Sequence, residues 1–253
     1  MNIISASRRE DMPAFRMDKI VEKMAERPDD FFVLWTKNPH NIVKTKVDLS
    51  RVALQLTVTG LGGSDLEPGV PAPDGVWSGV KELVRQGLNP NLINWRMDPI
   101  LPSRHCSAHV ESLSSAAADL GISRCMISFI TFYDAIKARW PEWEQYQADK
   151  PRQVQIVQKM QSIVKPKGID LFGCVQPHLS PWLLKAHCID GAHYSKITGF
   201  DFSTDKDAYQ RKSCGCTQSV DIGKYRPCPH KCVYCYAKGP ENPVQSSEQP
   251  DLF

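Results

Sequence analysis

The sequence predicts an α/β protein: a parallel (β/α) barrel, complete or incomplete, followed by a cysteine-rich C-terminal segment. Three observations predict it. Short β-rich runs alternate with longer helical ones, an order that implies parallel strands joined by helical crossovers. The 253 residues suit an α/β barrel. Beyond about residue 200 the regular periodicity stops, and cysteine, glycine and proline dominate until 240. The expected division is therefore a barrel-like domain over 1–200, a cysteine-rich segment over 201–240 and a disordered, polar tail over 241–253. An open doubly wound sheet is the alternative.

The elements follow in order. NIISASRR (2–9) reads as a strand, and MDKIVEKMAE (17–26) as a helix with Met17, Ile20, Val21 and Met24 on one face. FFVLWTKNP (31–39) is an apolar strand ending at an Asn-Pro turn signal. RVALQLTVTG (51–60) is rich in β-branched residues and closes at Gly60. VWSGVKELVRQG has helical spacing and a C-terminal cap at Gly87. A strand at 91–100, a helix at 109–121, a strand at 124–133, an amphipathic helix at 154–165 and a strand at 169–176 continue the alternation. A short helix and a last strand around His187–Asp190 are expected within 181–199.

Bulk properties exclude some classes. A net charge of +3 is too small to argue for nucleic acid or a membrane surface. No apolar run approaches the roughly 18 residues that span a bilayer. MNIISASRRE lacks the basic leader and apolar core of a secretory signal, so the chain reads as cytoplasmic. Nine cysteines, an odd number, in a reducing compartment point away from disulfides and toward metal or redox chemistry.

Function in parallel βα folds collects at the C-terminal ends of the strands. The ends here are polar: Ser7, Arg8, Arg9 and Asp11; Thr36, Lys37 and Asn38; Thr57 and Thr59; Arg96 and Asp98; Ser128 and Thr131; Gln176. Arginines and a lysine there suit a carboxylate or phosphate. The plain alternative is that these charges pair with one another. The loop TGLGGSDLEPGVP is neither a Walker loop nor a dinucleotide fingerprint, but its backbone suits close approach and Glu67 offers a carboxylate.

The sharpest motif is CPHKCVYCYA (228–237), where Cys228, Cys232 and Cys235 make a compact trio. Zinc sites usually take four protein ligands, whereas three thiolates around a 4Fe–4S cube leave one iron open. The C-x₃-C-x-aromatic-C pattern resembles the radical S-adenosylmethionine superfamily, and its Tyr-Cys-Tyr ending the spore photoproduct lyase-like branch. That resemblance implies a partial βα barrel, a 4Fe–4S cluster on Cys228, Cys232 and Cys235, and Tyr234 near the adenine of S-adenosylmethionine. It also implies reductive cleavage to a 5′-deoxyadenosyl radical, fed by an external donor such as a flavodoxin or ferredoxin. In that superfamily the trio follows the first strand, whereas here it follows the whole barrel. Either the order is circularly permuted, with SVDIGKY supplying the strand before the trio, or a lid carries the cysteines to the mouth.

On this reading Arg8, Arg9, Lys37 and Arg96 position an anionic substrate or the cofactor carboxylate. Asp98, Thr59 and Glu67 complete the candidate site. Cys214 and Cys216 form a C-x-C pair that, with Cys174 and Cys188, can supply four ligands to a second 4Fe–4S cluster relaying electrons; the alternative is that Cys174 and Cys188 are buried apolar residues. Cys106 and Cys125 read as ordinary thiols, and His230 as a hydrogen-bond donor beside the trio.

The stretches SASRREDMPAF, FFVLWTKNP, LTVTGLGGSDLEPGVP, WRMDPIL, the Cys-Ile-Asp at 188–190 and QRKSCGCTQSVDIGKYRPCPHKCVYCYA are similar to a bacterial family of domain of unknown function 1848. That likeness implies membership and leaves the substrate open. A competing reading is non-enzymatic: a zinc or iron–sulfur module that staples the barrel or faces nucleic acid. Lys206, Arg211, Lys212, Lys224, Arg226, Lys231 and Lys238 make the segment locally basic. A metal-dependent hydrolase or isomerase is a third, weakened by the absence of a motif such as H-E-x-x-H.

Overall fold

The computed structural model describes residues 1–105 and 107–237. Cys106, Lys238 and the tail over 241–253 therefore lie outside the described residues. The elements are β1 (Ile3–Ala6), α1 (Met12–Phe15), α2 (Met17–Glu26), β2 (Phe31–Thr36), α3 (His40–Val43), β3 (Val52–Thr57), α4 (Pro73–Arg85) and β4 (Ile93–Ile100). There follow α5 (Ser107–Asp119), β5 (Arg124–Phe129), α6 (Asp134–Arg139), α7 (Lys150–Val164), β6 (Asp170–Gly173), β7 (Leu184–Lys185), α8 (Gly191–Thr198) and β8 (Val220–Asp221).

The strands form one all-parallel sheet in the order β7-β6-β5-β4-β3-β2-β1-β8. Consecutive neighbours, with the last strand beside the first, are what a barrel would have, but β7 and β8 do not pair. The sheet is open, which corrects the expectation of a barrel as far as closure goes. The reason is local: the two edge strands are only two residues each, Leu184–Lys185 and Val220–Asp221. A ladder that short holds one neighbour and cannot close a ring. Leu184 and Val220 stay about half exposed, at 53% and 52%. The expected strand at His187–Asp190 is not formed; β7 precedes it, and Asp190 instead caps α8 by accepting from the His193 N–H at 3.1 Å.

Period-2 alternation gives the sheet two unlike faces. Ile4, Phe32, Leu34, Leu54, Leu56, Trp95 and Ile127 pack against Ile20 and Met24 of α2, Val80 and Leu83 of α4, Val110 and Leu113 of α5, and Val157 and Met160 of α7. With α2, α4, α5 and α7 together on one face and no reversal of strand order, the chain is also separated from the doubly wound alternative. Each fully buried large apolar side chain here contributes about 1.5–3 kcal/mol. Trp95 also satisfies its indole, which donates to the Val58 carbonyl at 2.9 Å.

Two helix ends show how the sequence stops a helix. Gly87 (φ +108°) and Gly121 (φ +76°) take left-handed conformations after α4 and α5. The next residues, Leu88 and Ile122, send their N–H groups back to the Leu83 and Ala117 carbonyls at 3.0 Å and bury their side chains.

The second face carries α8, in the connection from β7 to β8. Ile3, Phe31, Val33 and Ala53 pack there against Cys188, Ile189, Tyr194, Phe202, Cys214 and Cys216. The chain after β7 thus fills the face that α2, α4, α5 and α7 leave bare. It then adds β8 to the sheet edge, in register Ile4↔Val220 and Ser5↔Asp221. No helix among the described residues is long and apolar enough to cross a membrane.

Candidate functional site

The strand-end residues separate into two groups, each organised around cysteines. The first group surrounds the trio, which follows β8 in a tightly turned loop. The Lys231 N–H donates to the Cys228 carbonyl at 3.1 Å, and the Cys235 N–H to the Cys232 carbonyl at 3.3 Å. The three thiols lie near enough to feel one another's charge. Lys231 is left-handed at φ +54°.

The glycine-rich loop after β3 clasps this loop. Gly69 N–H donates to the His230 carbonyl at 3.0 Å, and Val233 N–H to the Leu66 carbonyl at 3.0 Å. His230 is fixed at both ring nitrogens, with Nδ1 2.9 Å from the Gly69 carbonyl and Nε2 2.8 Å from Asp11 Oδ2. A Cβ on Gly69 would stand 2.4 Å from the Pro229 carbonyl oxygen, so only glycine permits the approach. The close backbone approach of this loop, expected toward a ligand, is made to the trio loop instead.

Against the trio lies a buried polar knot drawn from three strand ends. Lys37, just past β2, donates from Nζ to Glu67 Oε1 at 2.8 Å and to the Tyr234 hydroxyl at 3.1 Å. Thr59, just past β3, donates to the same Glu67 oxygen at 2.7 Å, and the Tyr234 hydroxyl donates to it as well. Burial pushes the Glu67 carboxyl up, but the Lys37 ammonium and the two hydroxyls outweigh it and hold the carboxyl below its usual range. Lys37 is likewise lowered by burial and raised more strongly by Glu67 and by Cys232. Burial pushes the Cys232 thiol up to about 12, against the pull of Lys37. Arg139 of α6 donates to the Cys235 carbonyl.

The second group holds the other four cysteines. Cys174 follows β6, Cys188 lies between β7 and α8, and Cys214 and Cys216 lie between α8 and β8. Cys188, Cys214 and Cys216 are buried in one cluster with Cys174 packed against it. The Cys216 N–H donates to Cys214 Sγ at 3.5 Å. Hydrogen bonding from Cys216 outweighs burial and lowers the Cys214 thiol to about 7, whereas its neighbour Cys188 and burial push Cys174 well up. Backbone anchors hold the cluster. The Cys188 carbonyl accepts from Gln55 Nε2 at 2.5 Å and from the Tyr194 hydroxyl at 3.2 Å. A Cβ on Gly215 would stand 2.8 Å from the Ala186 carbonyl oxygen, which explains the glycine between the two cysteines.

Two buried arginines belong to this second group. Arg96 donates to Cys188 Sγ at 3.0 Å and pairs with Asp98, which also accepts from the Ser128 hydroxyl. Arg8 lies close enough for its charge to feel Cys216, Cys188 and Cys214. Both guanidiniums stack on Trp35, with centroid distances of 5.4 Å for Arg8 and 4.9 Å for Arg96.

Lys37, Glu67, Thr59 and Tyr234 therefore meet at Cys228, Cys232 and Cys235, whereas Arg8, Arg96 and Asp98 meet at Cys174, Cys188, Cys214 and Cys216. Arg9 joins neither group. It donates to the Gly223 carbonyl at 3.2 Å and stacks on Tyr225, fixing the chain that leads to the trio. Cys125 packs in the helix-side core. Among the described residues, no three His, Cys, Asp or Glu side chains stand posed around a metal ion.

Three contributors escaped the sequence reading. Trp35 shares its face with Phe31 and Val33, and strand alternation could have found it. Asp221 accepts from the Arg8 N–H at 3.1 Å and the Gly223 N–H at 2.9 Å, tying β8 to the end of β1. Tyr236 donates to the Arg8 carbonyl at 2.9 Å and so stands between the two groups.

A family model described as "Domain of unknown function (DUF1848)" matches residues 25–237. No curated protein and no solved structure matches the chain.

Proposed function

The chain belongs to the DUF1848 family, and from that premise we propose that it is an iron–sulfur protein of radical S-adenosylmethionine type, with Cys228, Cys232 and Cys235 holding a 4Fe–4S cluster. The observation that carries this reading is the placement of the trio. It directly follows β8, a strand at one edge of the parallel sheet and beside β1. Read through space from that edge, the sheet begins with a strand and its cysteine loop, the order that the superfamily resemblance implies. SVDIGKY supplies that strand, which favours the permuted order over a separate lid.

The residues present fit a cluster better than a single ion. Among the described residues, no three ligand side chains stand around one point as a single ion requires. A cube assigns each thiolate to a different iron, so its sulfurs stand further apart. When bound, such a cluster with an open iron supplies one-electron reduction of a chelated S-adenosylmethionine.

This chain's own residues do the rest. Lys37 places a cation beside Cys232, offsetting the charge that accumulates when thiols become thiolates. Glu67 holds Lys37 and Tyr234 in place and leaves the lysine charged. Tyr234, 7% exposed, packs with Leu61, Leu66 and Cys232 in one apolar cluster.

The test is the EPR spectrum of the anaerobic, dithionite-reduced protein with and without S-adenosylmethionine, with Cys232→Ala as control. A cluster signal that shifts with the ligand and is lost in the variant supports the reading. A signal indifferent to the ligand, or none at all with zinc bound, sinks it.

A non-enzymatic nucleic-acid module is the second reading. Lys206, Arg211, Lys212, Lys224, Arg226 and Lys231 are all exposed. Salt-sensitive retention of single- or double-stranded DNA by the cluster-free protein would favour it.

A further inference from the structure

Four cysteines from three separate connections converge in one cluster on the second face of the sheet. Nothing in the trio's chemistry requires this. Free buried cysteines commonly act as small apolar residues, but they are then scattered, as Cys125 is. Here the chain is shaped to gather them. Gly215 is needed for the C-x-C turn to pass Ala186, and the Thr217 N–H ties the turn to the Ile189 carbonyl at 3.0 Å, next to Cys188.

The polar surroundings are also wrong for four neutral thiols. Two guanidiniums with side chains only 12% and 11% exposed, Arg8 and Arg96, are held over the cluster by Trp35. Arg96 already points an N–H at the Cys188 sulfur. Arg8 has only a 4.0 Å pairing with Asp207, and its Nη2 is buried with no hydrogen-bond partner. A buried donor left unmade costs about 1–3 kcal/mol, more when charged. Such a group is explained by an anionic occupant that it faces.

We propose that Cys174, Cys188, Cys214 and Cys216 form a second metal centre, ligated entirely by thiolates and stabilised by the Arg8 and Arg96 charges. A tetrathiolate around one divalent ion, or around a 4Fe–4S cube in its oxidised state, carries a net charge of about −2. The two guanidiniums match it. As they stand, the clustered thiols enclose no ion. Loading replaces four S–H bonds by four metal–sulfur bonds and releases four protons to solvent. With four protein ligands the centre has no open position, in contrast to the trio. The Tyr236 hydroxyl on the Arg8 carbonyl places the two groups side by side.

The experiment uses the full chain with the trio removed, Cys228→Ser/Cys232→Ser/Cys235→Ser, so its outcome is independent of the function proposed above. After anaerobic purification, iron, zinc and acid-labile sulfide are counted per chain. About one zinc, or about four irons with four sulfides, is expected. Adding Cys188→Ser and Cys216→Ser should abolish it, whereas adding Cys125→Ser should not. Because the added serines could disturb folding, cobalt(II) is also titrated into the metal-free trio-less protein. A tetrathiolate gives intense tetrahedral d–d and sulfur-to-cobalt charge-transfer bands. A trio-less protein that carries no metal and gives no such bands would overturn the proposal. In the same protein, Arg8→Gln should weaken cobalt binding at least about tenfold; unchanged affinity would overturn the role assigned to Arg8.

Discussion

Replacing Lys37 by methionine should reverse the pH dependence of stability at the trio. Glu67 is 1% exposed and Lys37 16%, and the pair is 2.8 Å apart. Breaking a buried pair from one side costs about 3–5 kcal/mol, because the remaining charge is uncompensated. Thr59 and Tyr234 still donate to Glu67, so the low end, about 3 kcal/mol, applies. That is about two pKa units.

The signs follow from the carboxyl. In the wild type its folded pKa lies below the ordinary 4.5. Its contribution is present above the unfolded value and is lost as pH falls through the folded one. With Lys37 gone, burial dominates and the folded pKa rises above the unfolded value. The contribution is then present below the unfolded pKa and lost as pH rises through the folded one. Urea unfolding of the metal-free protein, followed by tryptophan fluorescence from pH 4 to 8, reads this directly. The wild type should gain stability with pH, and Lys37→Met should lose it. Lys37→Met/Glu67→Gln should show neither slope from this site and recover about 2 kcal/mol relative to the sum of the single changes. A Lys37→Met protein whose stability climbs with pH as the wild type's does would refute the assigned electrostatics.

Three further outcomes are expected. Gly69→Ala should force the two clasped loops apart, since the added carbon meets the Pro229 carbonyl at 2.4 Å; a loss of about 2 kcal/mol and faster proteolysis within 228–237 are the measurements. Trp95→Phe should cost about 2 kcal/mol in urea unfolding, by removing the indole donor and leaving the buried Val58 carbonyl unpaired. Asp11→Ala removes the acceptor for the Ala14 N–H at 3.0 Å, the Lys37 N–H at 2.8 Å and His230; amide exchange should accelerate at Ala14 and Lys37 and leave β4 unchanged.

The parallel order was legible because each crossover obeys two periods at once. The helix over 17–26 and the strand expected over 31–39, which forms over Phe31–Thr36, could be read from Ile20, Met24, Phe32 and Leu34 without knowing what they touch. Closure was not legible, because it depends on whether LK and VD extend by two or three more residues, and no periodicity exists in two residues. The polar strand ends were found, but their division into two groups was not. Sequence spacing says that Arg96 and Lys37 both face the mouth; only the packing of Trp35 and the path of residues 186–223 assign one to each set of cysteines. Arg9 shows the limit most plainly. It adjoins Arg8 in sequence, yet it holds Gly223 while Arg8 faces the thiols.

That path gives the open edge a structural role. A closed ring would place β7 against β8 and leave the space inside to side chains of the strands alone. Here residues 186–219, α8 among them, occupy the second face, and they bring Cys188, Cys214 and Cys216 to Cys174 at the end of β6. Closing the ring would require β7 and β8 to lengthen into the very segments that carry those cysteines, since Cys188 lies three residues past Lys185 and Cys216 four before Val220. The short edge strands and the gathered thiols are therefore one feature: the ladder stops where the chain must leave the sheet to present sulfur.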